Sequence, residues 1–262
     1  MTGAVDLQQH DLAPSAAQAV IDAAALTPTD TVLEVGPGLG ALTAAILSRG
    51  CRLQAIERDA ARIPVLQRRF AKELADGRLI LVVGDAMRVT PALPEGWRAV
   101  ANPPFNLTAD LLRRWLLDDL PGGPPVALDL VLQREAAQKI SGRPGAHTRT
   151  SVLVALVGTA RPVARLNRDQ VSPPSRVDLS VWSLRRAPDA PSPTELRWVD
   201  TLLARAFAGP HTVADALQGM ATGVQLRRQS QEHGWDFAEH PRMVPPPAWL
   251  PFARLLHMCG KV

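Results

Sequence analysis

The chain has 262 residues, 46% of them hydrophobic and 21% charged, with 29 basic against 25 acidic side chains and a net charge of +4. That balance is ordinary for a globular protein and excludes a disordered, collagenous or disulfide-stapled chain. No apolar run reaches the roughly 18 residues that span a membrane, the segment MTGAVDLQQHDLAPS lacks the basic start of a secretory signal, and Cys51 and Cys259 match no metal or redox spacing, so a reduced cytoplasmic setting is expected.

Taken in chain order, TVLEVG (31–36) reads as a buried strand and ALTAAILSRG (41–50) as a helix closed by Gly50. RLQAIE (52–57) is a second strand, followed by a helix to about Leu74 with Pro64 in its first turn. RLILVVGD (78–85) and RAVAN (98–102) are strands three and four. LTADLLRRWLLDDL (107–120) is an amphipathic helix, PVALDLVLQ (125–133) a fifth strand and REAAQKISG a short helix. Near-continuous apolar strands alternating with helices predict a parallel sheet covered on both faces. After Arg143, TSVLVALVGTA, PVARLN and VDLSVWSLRR are expected to supply the last strands of that sheet. The proline-rich RAPDAPSP (186–193) reads as a linker. Two domains are therefore predicted, 1–186 and a small helical 187–262, with helices near 194–208, 211–219 and 222–233. The six tryptophans read as core or partly buried anchors.

Charge is uneven along the chain. Residues 1–120 are net −2 and residues 121–262 net +6, and only Lys72, Lys139 and Lys261 are lysines, the other 26 basic residues being arginine. A basic second half suits a polyanionic partner.

EVGPGLG lies after the first strand and before a helix, where open α/β sheets bind ligands. Gly36, Gly38 and Gly40 allow a ligand close to the backbone, but in a G-x-G-x-G spacing that places the third glycine one residue earlier than the dinucleotide fingerprint. Glu57 ends the second strand, where a carboxylate accepts both hydroxyls of a ribose. Asp85 ends the third, placed to accept from an exocyclic adenine amine. No basic residue stands beside the glycines to receive a pyrophosphate. A nucleoside without phosphate therefore fits better than NAD, and S-adenosyl-L-methionine is such a nucleoside.

NPPF, at the end of the fourth strand, faces the same crevice. A nucleobase amine is a poor nucleophile because its lone pair is delocalised into the ring. The Asn102 side-chain oxygen and the Pro103 carbonyl form an acceptor pair able to hold both N–H groups, with Pro103 and Pro104 fixing the geometry and Phe105 stacking on the base. The base must leave its stack or start unpaired. The plainer alternative is a strand-ending turn with Phe105 in the core.

On these residues the chain resembles the rRNA adenine N6-methyltransferases, which comprise the KsgA-type small-subunit dimethylases and the Erm-type large-subunit enzymes. The resemblance runs from about Gln9 to Arg186 and rests on QHDLAPSAAQAVIDAAALTPTDTVLEVGPGLGALT, AIERD, GDAM, NPPFN and VSPPSRVDLSV. It implies a Rossmann-like seven-strand sheet with a small C-terminal all-α domain. By position, it implies that Gln9, His10 and Leu12 close over the methionine end of S-adenosyl-L-methionine, above Gly36, Gly38 and Gly40. Glu57 would bind the ribose, Asp85 with Ala86 the adenine, and Asn102, Pro103 and Phe105 the target amine. Two departures stand out: Asp11 replaces an aromatic in the first segment, and Val171 replaces one before the PPxxVD stretch. The motif is also N-P-P-F, where N-L-P-Y or N-I-P-Y is common.

The leading expectation is N6 methylation of an adenine in 23S rRNA, Erm-type, with a role in drug resistance, favoured by the arginine-rich, lysine-poor composition. The alternatives are 16S rRNA dimethylation and a non-catalytic RNA-binding or assembly factor. A glutamine or DNA adenine methyltransferase fits the first and last segments less well. The expected partners are rRNA and ribosomal precursor particles, with the protein a monomer. Phosphate contacts are expected from Arg113, Arg114, Arg134, Arg143, Arg149, Arg227 and Arg228. The six histidines and scattered acids form no metal constellation.

Overall fold

In the computed structural model, which describes residues 11–89, 92–209 and 211–262, the early apolar runs become parallel strands alternating with helices. A short strand β1 (Asp11–Leu12) precedes α1 (Pro14–Ala24). Then come β2 (Thr31–Val35), α2 (Ala41–Ser48), β3 (Arg52–Glu57), α3 (Ile63–Arg69) and α4 (Ala71–Ala75). Next are β4 (Leu79–Val83), β5 (Arg98–Ala101), α5 (Thr108–Leu117), β6 (Ala127–Gln133) and α6 (Arg134–Ser141). They are followed by α7 (Arg149–Val157), β7 (Gly158–Leu166), β8 (Val171–Ser172) and β9 (Leu179–Arg186). Helices α8 (Pro193–Ala206), α9 (Val213–Ala216), α10 (Gly223–His233) and α11 (Pro246–Met258) end the chain.

The packing divides into two units: residues 11–137 with Arg161–Arg185, and Gln138–Ala160 with Arg186–Val262. The sequence suggested a single break near 186, whereas packing draws Gln138–Ala160 into the second unit.

Seven strands form one sheet in the order β4-β3-β2-β5-β6-β9-β7. Neighbours from β4 to β6 are parallel, and β9 runs antiparallel to β6. The sheet is therefore mixed, which corrects the all-parallel expectation. No crossover α-helix lies between β7 and β9, and parallel neighbours need one. The order reverses between β2 and β5, which puts the topological switch point at their carboxyl ends.

Helices α1 and α2 bury Val20, Ile21 and Ile46 against Val32, Leu53 and Val131 of the sheet. Each such side chain contributes about 1.5–3 kcal/mol when fully buried. Elsewhere in this unit Trp97 and Trp115 meet edge to face with centroids 6.5 Å apart, and Trp97 Nε1 donates to the Gly123 carbonyl at 2.9 Å. At the start of β5 and the end of β9, arginines converge on the fully buried Asp129 of β6. Arg185 Nη2 donates to Asp129 Oδ1 at 2.8 Å, Ser183 Oγ donates to the same oxygen at 2.5 Å, and Arg98 Nη2 lies 3.7 Å from Oδ2.

In the second unit, the run expected to open a strand at TSVLVALV is instead the helix α7. Eight consecutive small and apolar residues suit either a buried strand or a buried helix. The deciding feature is the capping box, in which Thr148 Oγ1 accepts from the Ser151 amide at 3.2 Å and Ser151 Oγ accepts from the Thr148 amide at 2.8 Å. Helices α7, α8 and α11 pack together, and Arg149 forks onto Asp200 at 2.6 and 2.7 Å. Trp97, Trp115, Trp182 and Trp249 are buried, Trp198 and Trp235 half-buried. No helix among the described residues is long and apolar enough to cross a membrane.

Candidate active site at the switch point

The glycine loop leaves β2 with Gly36, Gly38 and Gly40 all in the left-handed region, at φ 71°, 59° and 83°. Sterics add to conformation: a Cβ on Gly38 would stand 2.3 Å from Asp11 Oδ1, and one on Gly40 2.6 Å from Phe70 Cε2. Only glycine meets both demands. The Gly40 amide donates to the Pro37 carbonyl at 2.8 Å, and its own carbonyl receives the Ala44 amide in α2.

Glu57, at the end of β3, is 2% exposed. Its Oε2 accepts from the Gly38 amide at 3.2 Å and its Oε1 from the Asp59 amide at 2.8 Å. A carboxylate has about four acceptor sites, so capacity remains for a ligand hydroxyl.

Beside it lies an acid that the sequence patterns did not single out. Glu34 of β2 is buried, with Thr43 Oγ1 donating to its Oε2 at 2.7 Å. Burial pushes its carboxyl up to about 8, and the Glu57 charge adds to the effect. At neutral pH Glu34 is therefore mostly protonated. The signal for it was an acid inside the apolar run TVLEV.

Glu34, Gly36, Leu12, Asp11 and Asn102 line one concavity. Asn102 is 8% exposed, Pro103 and Pro104 are buried, and Phe105 is half-buried and packed against the core cluster that includes Leu12 and Val171. The glycine loop after β2, the carboxylate ending β3 and the asparagine after β5 are thus brought together at the switch point. A built-in glycine cradle, a buried carboxylate and an uncharged buried acid fit a nucleoside, and Arg62, the cation beside Gly38, is engaged by Asp11 at 2.8 Å.

Asp85 and Ala86 sit on the turn after β4. Asp85 Oδ1 accepts from the Met87 amide at 2.9 Å, and its Oδ2 lies 3.9 Å from Arg58 Nη1. Ala86 lines a separate concavity with Ile56, Trp97 and Arg114. Gln9 and His10 lie outside the described residues.

Positions 11 and 171, the two departures from the resemblance noted in the sequence, fall next to each other. β1 pairs antiparallel with β8, with Asp11 opposite Ser172 and Leu12 opposite Val171. No sequence pattern links positions so far apart.

Two of the expected phosphate contacts are instead committed within the protein. Arg114 donates to the carbonyls of Met87 and Val89 at 2.8 and 3.0 Å, with its side chain 15% exposed, so it braces the Asp85 turn. Arg149 is held by Asp200. Arg143 and Arg227 are exposed, and Arg228 is exposed while paired with Glu232 at 2.8 Å. Arg134 lies 3.9 Å from Asp178, and Arg113 is half-buried.

Comparison with known proteins adds an independent line. A family model described as ribosomal RNA adenine dimethylase matches residues 8–228. The chain is 35% identical over 249 residues to "Ribosomal RNA small subunit methyltransferase A" of Synechococcus sp. (strain WH7803), covering 91% of this chain and 88% of the relative. Among solved structures it is similar to a dimethyladenosine transferase from Plasmodium falciparum (TM-score 0.76, 20% identity, 96% of this chain and 99% of that one). It is also similar to the 23S rRNA methyltransferase ErmE (TM-score 0.72, 22% identity, 93% and 97%). At these identities the structural likeness concerns the fold.

Proposed function

The chain belongs to the ribosomal RNA adenine dimethylase family, and from that premise we propose that its switch-point site methylates the N6 amine of an adenine in small-subunit, 16S rRNA. The protein is an S-adenosyl-L-methionine-dependent rRNA methyltransferase. The carrying observation is the convergence of the glycine loop, Glu57 and Asn102 at the carboxyl ends of β2, β3 and β5.

When bound, S-adenosyl-L-methionine supplies an electrophilic methyl group. In this reading Gly36, Gly38, Gly40 and Leu12, with Gln9 and His10, hold its methionine end. Glu57 accepts from the ribose, and Asp85 with Ala86 receives the adenine. The Asn102 oxygen and the Pro103 carbonyl accept the two N–H groups of the target amine and favour a lone pair directed away from the ring. The buried Pro103 and Pro104 keep those acceptors fixed, so no reorganisation is needed during transfer. Phe105 covers the base, and with Val171 aliphatic it supplies the stacking alone, worth about 1–3 kcal/mol. No strong base is required, because the nitrogen loses its proton after it has gained the methyl group.

Arg143, Arg227 and Arg228, with Arg113 and Arg134, are the proposed phosphate contacts. The protein acts in the cytoplasm as a monomer on ribosomal precursor particles. The small-subunit target is supported by the names of relatives spanning nearly the whole chain. The alternative, a 23S target with drug resistance, is supported by the arginine-rich composition. Purified small and large subunits incubated with labelled cofactor separate the two. Label in 16S rRNA supports the proposal, and label confined to 23S rRNA overturns it.

A further inference from the structure

Asp11 departs from the family pattern, and its carboxylate is the hub of a ring of contacts around the glycine loop. Asp11 Oδ1 accepts from Arg62 Nη1 at 2.8 Å and from the Leu39 amide at 3.2 Å. Arg62 Nε lies 3.6 Å from Asp59 Oδ2. The Asp59 amide donates to Glu57 Oε1, and the Gly38 amide donates to Glu57 Oε2. The ring therefore runs from β1 through the start of α3 to the carboxylate that ends β3, and back through the loop. Both members of the ion pair are mostly buried, with side chains 24% exposed for Arg62 and 21% for Asp11. On its other side β1 is held by β8 and by the Ala13 amide donating to the Gln170 carbonyl at 2.8 Å. Leu12, the next residue, lines the concavity.

We infer that Asp11 and Arg62 form an electrostatic latch that docks β1 on the glycine loop and thereby sets cofactor affinity. An aromatic at position 11 would be held by packing, which salt leaves almost untouched. A charged pair on a two-residue strand is held by Coulomb attraction and charge-assisted hydrogen bonds, which are stronger than neutral ones when partly desolvated. Asp11 and Arg62 are positioning residues: they act through Leu12, the Gly38–Leu39 turn and Glu57. The inference rests on the proposed cofactor site.

The test measures the dissociation constant for S-adenosyl-L-methionine by calorimetry, together with amide hydrogen exchange of the cofactor-free protein. Asp11→Asn keeps the shape and removes the charge, and Arg62→Met keeps most of the length. Each is expected to weaken binding about fivefold to tenfold, the net loss of one ordinary hydrogen bond once solvent screening of this partly exposed pair is allowed for. The double variant should be no worse than either single one, and Arg62→Lys should recover part of the loss. For Arg62→Met, which lies outside the lining of the concavity, kcat at saturating cofactor should stay near the parent value, so its effect falls in KM. Exchange at the Leu39 amide should quicken in Arg62→Met without cofactor. Raising salt should weaken the parent more than the double variant, a readout independent of how well each single variant folds. Unchanged affinity in both single variants, additive losses, or equal salt dependence would overturn the latch. Glu57→Gln is the control for the site itself: if it binds cofactor normally, the cofactor site is misplaced, whereas a defective Glu57→Gln beside unaffected latch variants removes only the latch.

Discussion

Replacing Glu34 by glutamine should change how stability depends on pH. In the folded chain the Glu34 carboxyl is pushed up to about 8 from an ordinary 4.5 by burial first and by the Glu57 charge second. Between those two values the folded state holds a proton that the unfolded state has released. Stability from this group is therefore fully present below 4.5 and is lost as pH rises toward 8. The slope approaches about 1.4 kcal/mol per pH unit in that window, so the loss from pH 5 to pH 8 is about 3–4 kcal/mol. Glu34→Gln keeps an acceptor for Thr43 Oγ1 and has nothing to titrate. Urea unfolding of parent and variant at pH 5, 6, 7 and 8 isolates the effect, since the other groups titrate alike in both. The stability difference, parent minus variant, should fall by about 3 kcal/mol across the series. A difference that stays flat, or rises with pH, would refute the reasoning that burial keeps this acid neutral.

Asn102→Ala should lower methyl transfer by about 100- to 1,000-fold, the usual effect of losing one preorganised polar group, with cofactor affinity within a few fold. Single-turnover rates and calorimetry read the two effects separately. Asp129→Ala should destabilise the chain by about 1–3 kcal/mol, because it removes the buried carboxylate that accepts from Arg185 and Ser183 while Arg98 keeps Asp30 at 3.0 Å; denaturant melts would show it. RNA affinity should fall steeply with salt, and replacing Arg143 or Arg227 should reduce the log–log slope by roughly one unit each. Arg114→Ala should instead disturb the Asp85 turn and lower thermal stability without altering that slope.

Strands β2, β3, β4 and β5 were legible because each is an apolar run closed by a glycine, an acid or an asparagine followed by proline. The β2, β3 and β5 boundaries agree with the sequence reading to within a residue. The clustering of the glycine loop, Glu57 and Asn102 at strand ends was legible too, since it follows from alternating strands and helices, whereas the strand order that makes it a switch point came from the fold. Residues 149–157 were not legible as a helix, because after Arg149 the run is small and apolar on every side, the exposed Ala155 included, and has no polar face to show its period. The long helix expected to reach Leu74 breaks at Phe70, whose ring packs against the glycine loop, giving α3 and α4. Glu34 escaped notice because a pattern of apolar residues treats an acid within it as an interruption. The meeting of Asp11 with Arg62 and the β1–β8 pairing are tertiary facts with no local signature. An arginine in isolation does not reveal whether carbonyls and carboxylates have claimed it, and Arg114 and Arg149 are such cases.

The most direct measurement of the central claim is mass-spectrometric mapping of rRNA methylated in vitro by the parent protein and by Asn102→Ala. The account predicts N6-methylated adenine in 16S rRNA with the parent and almost none with the variant. Methylation confined to 23S rRNA, or equal methylation by the variant, would contradict it.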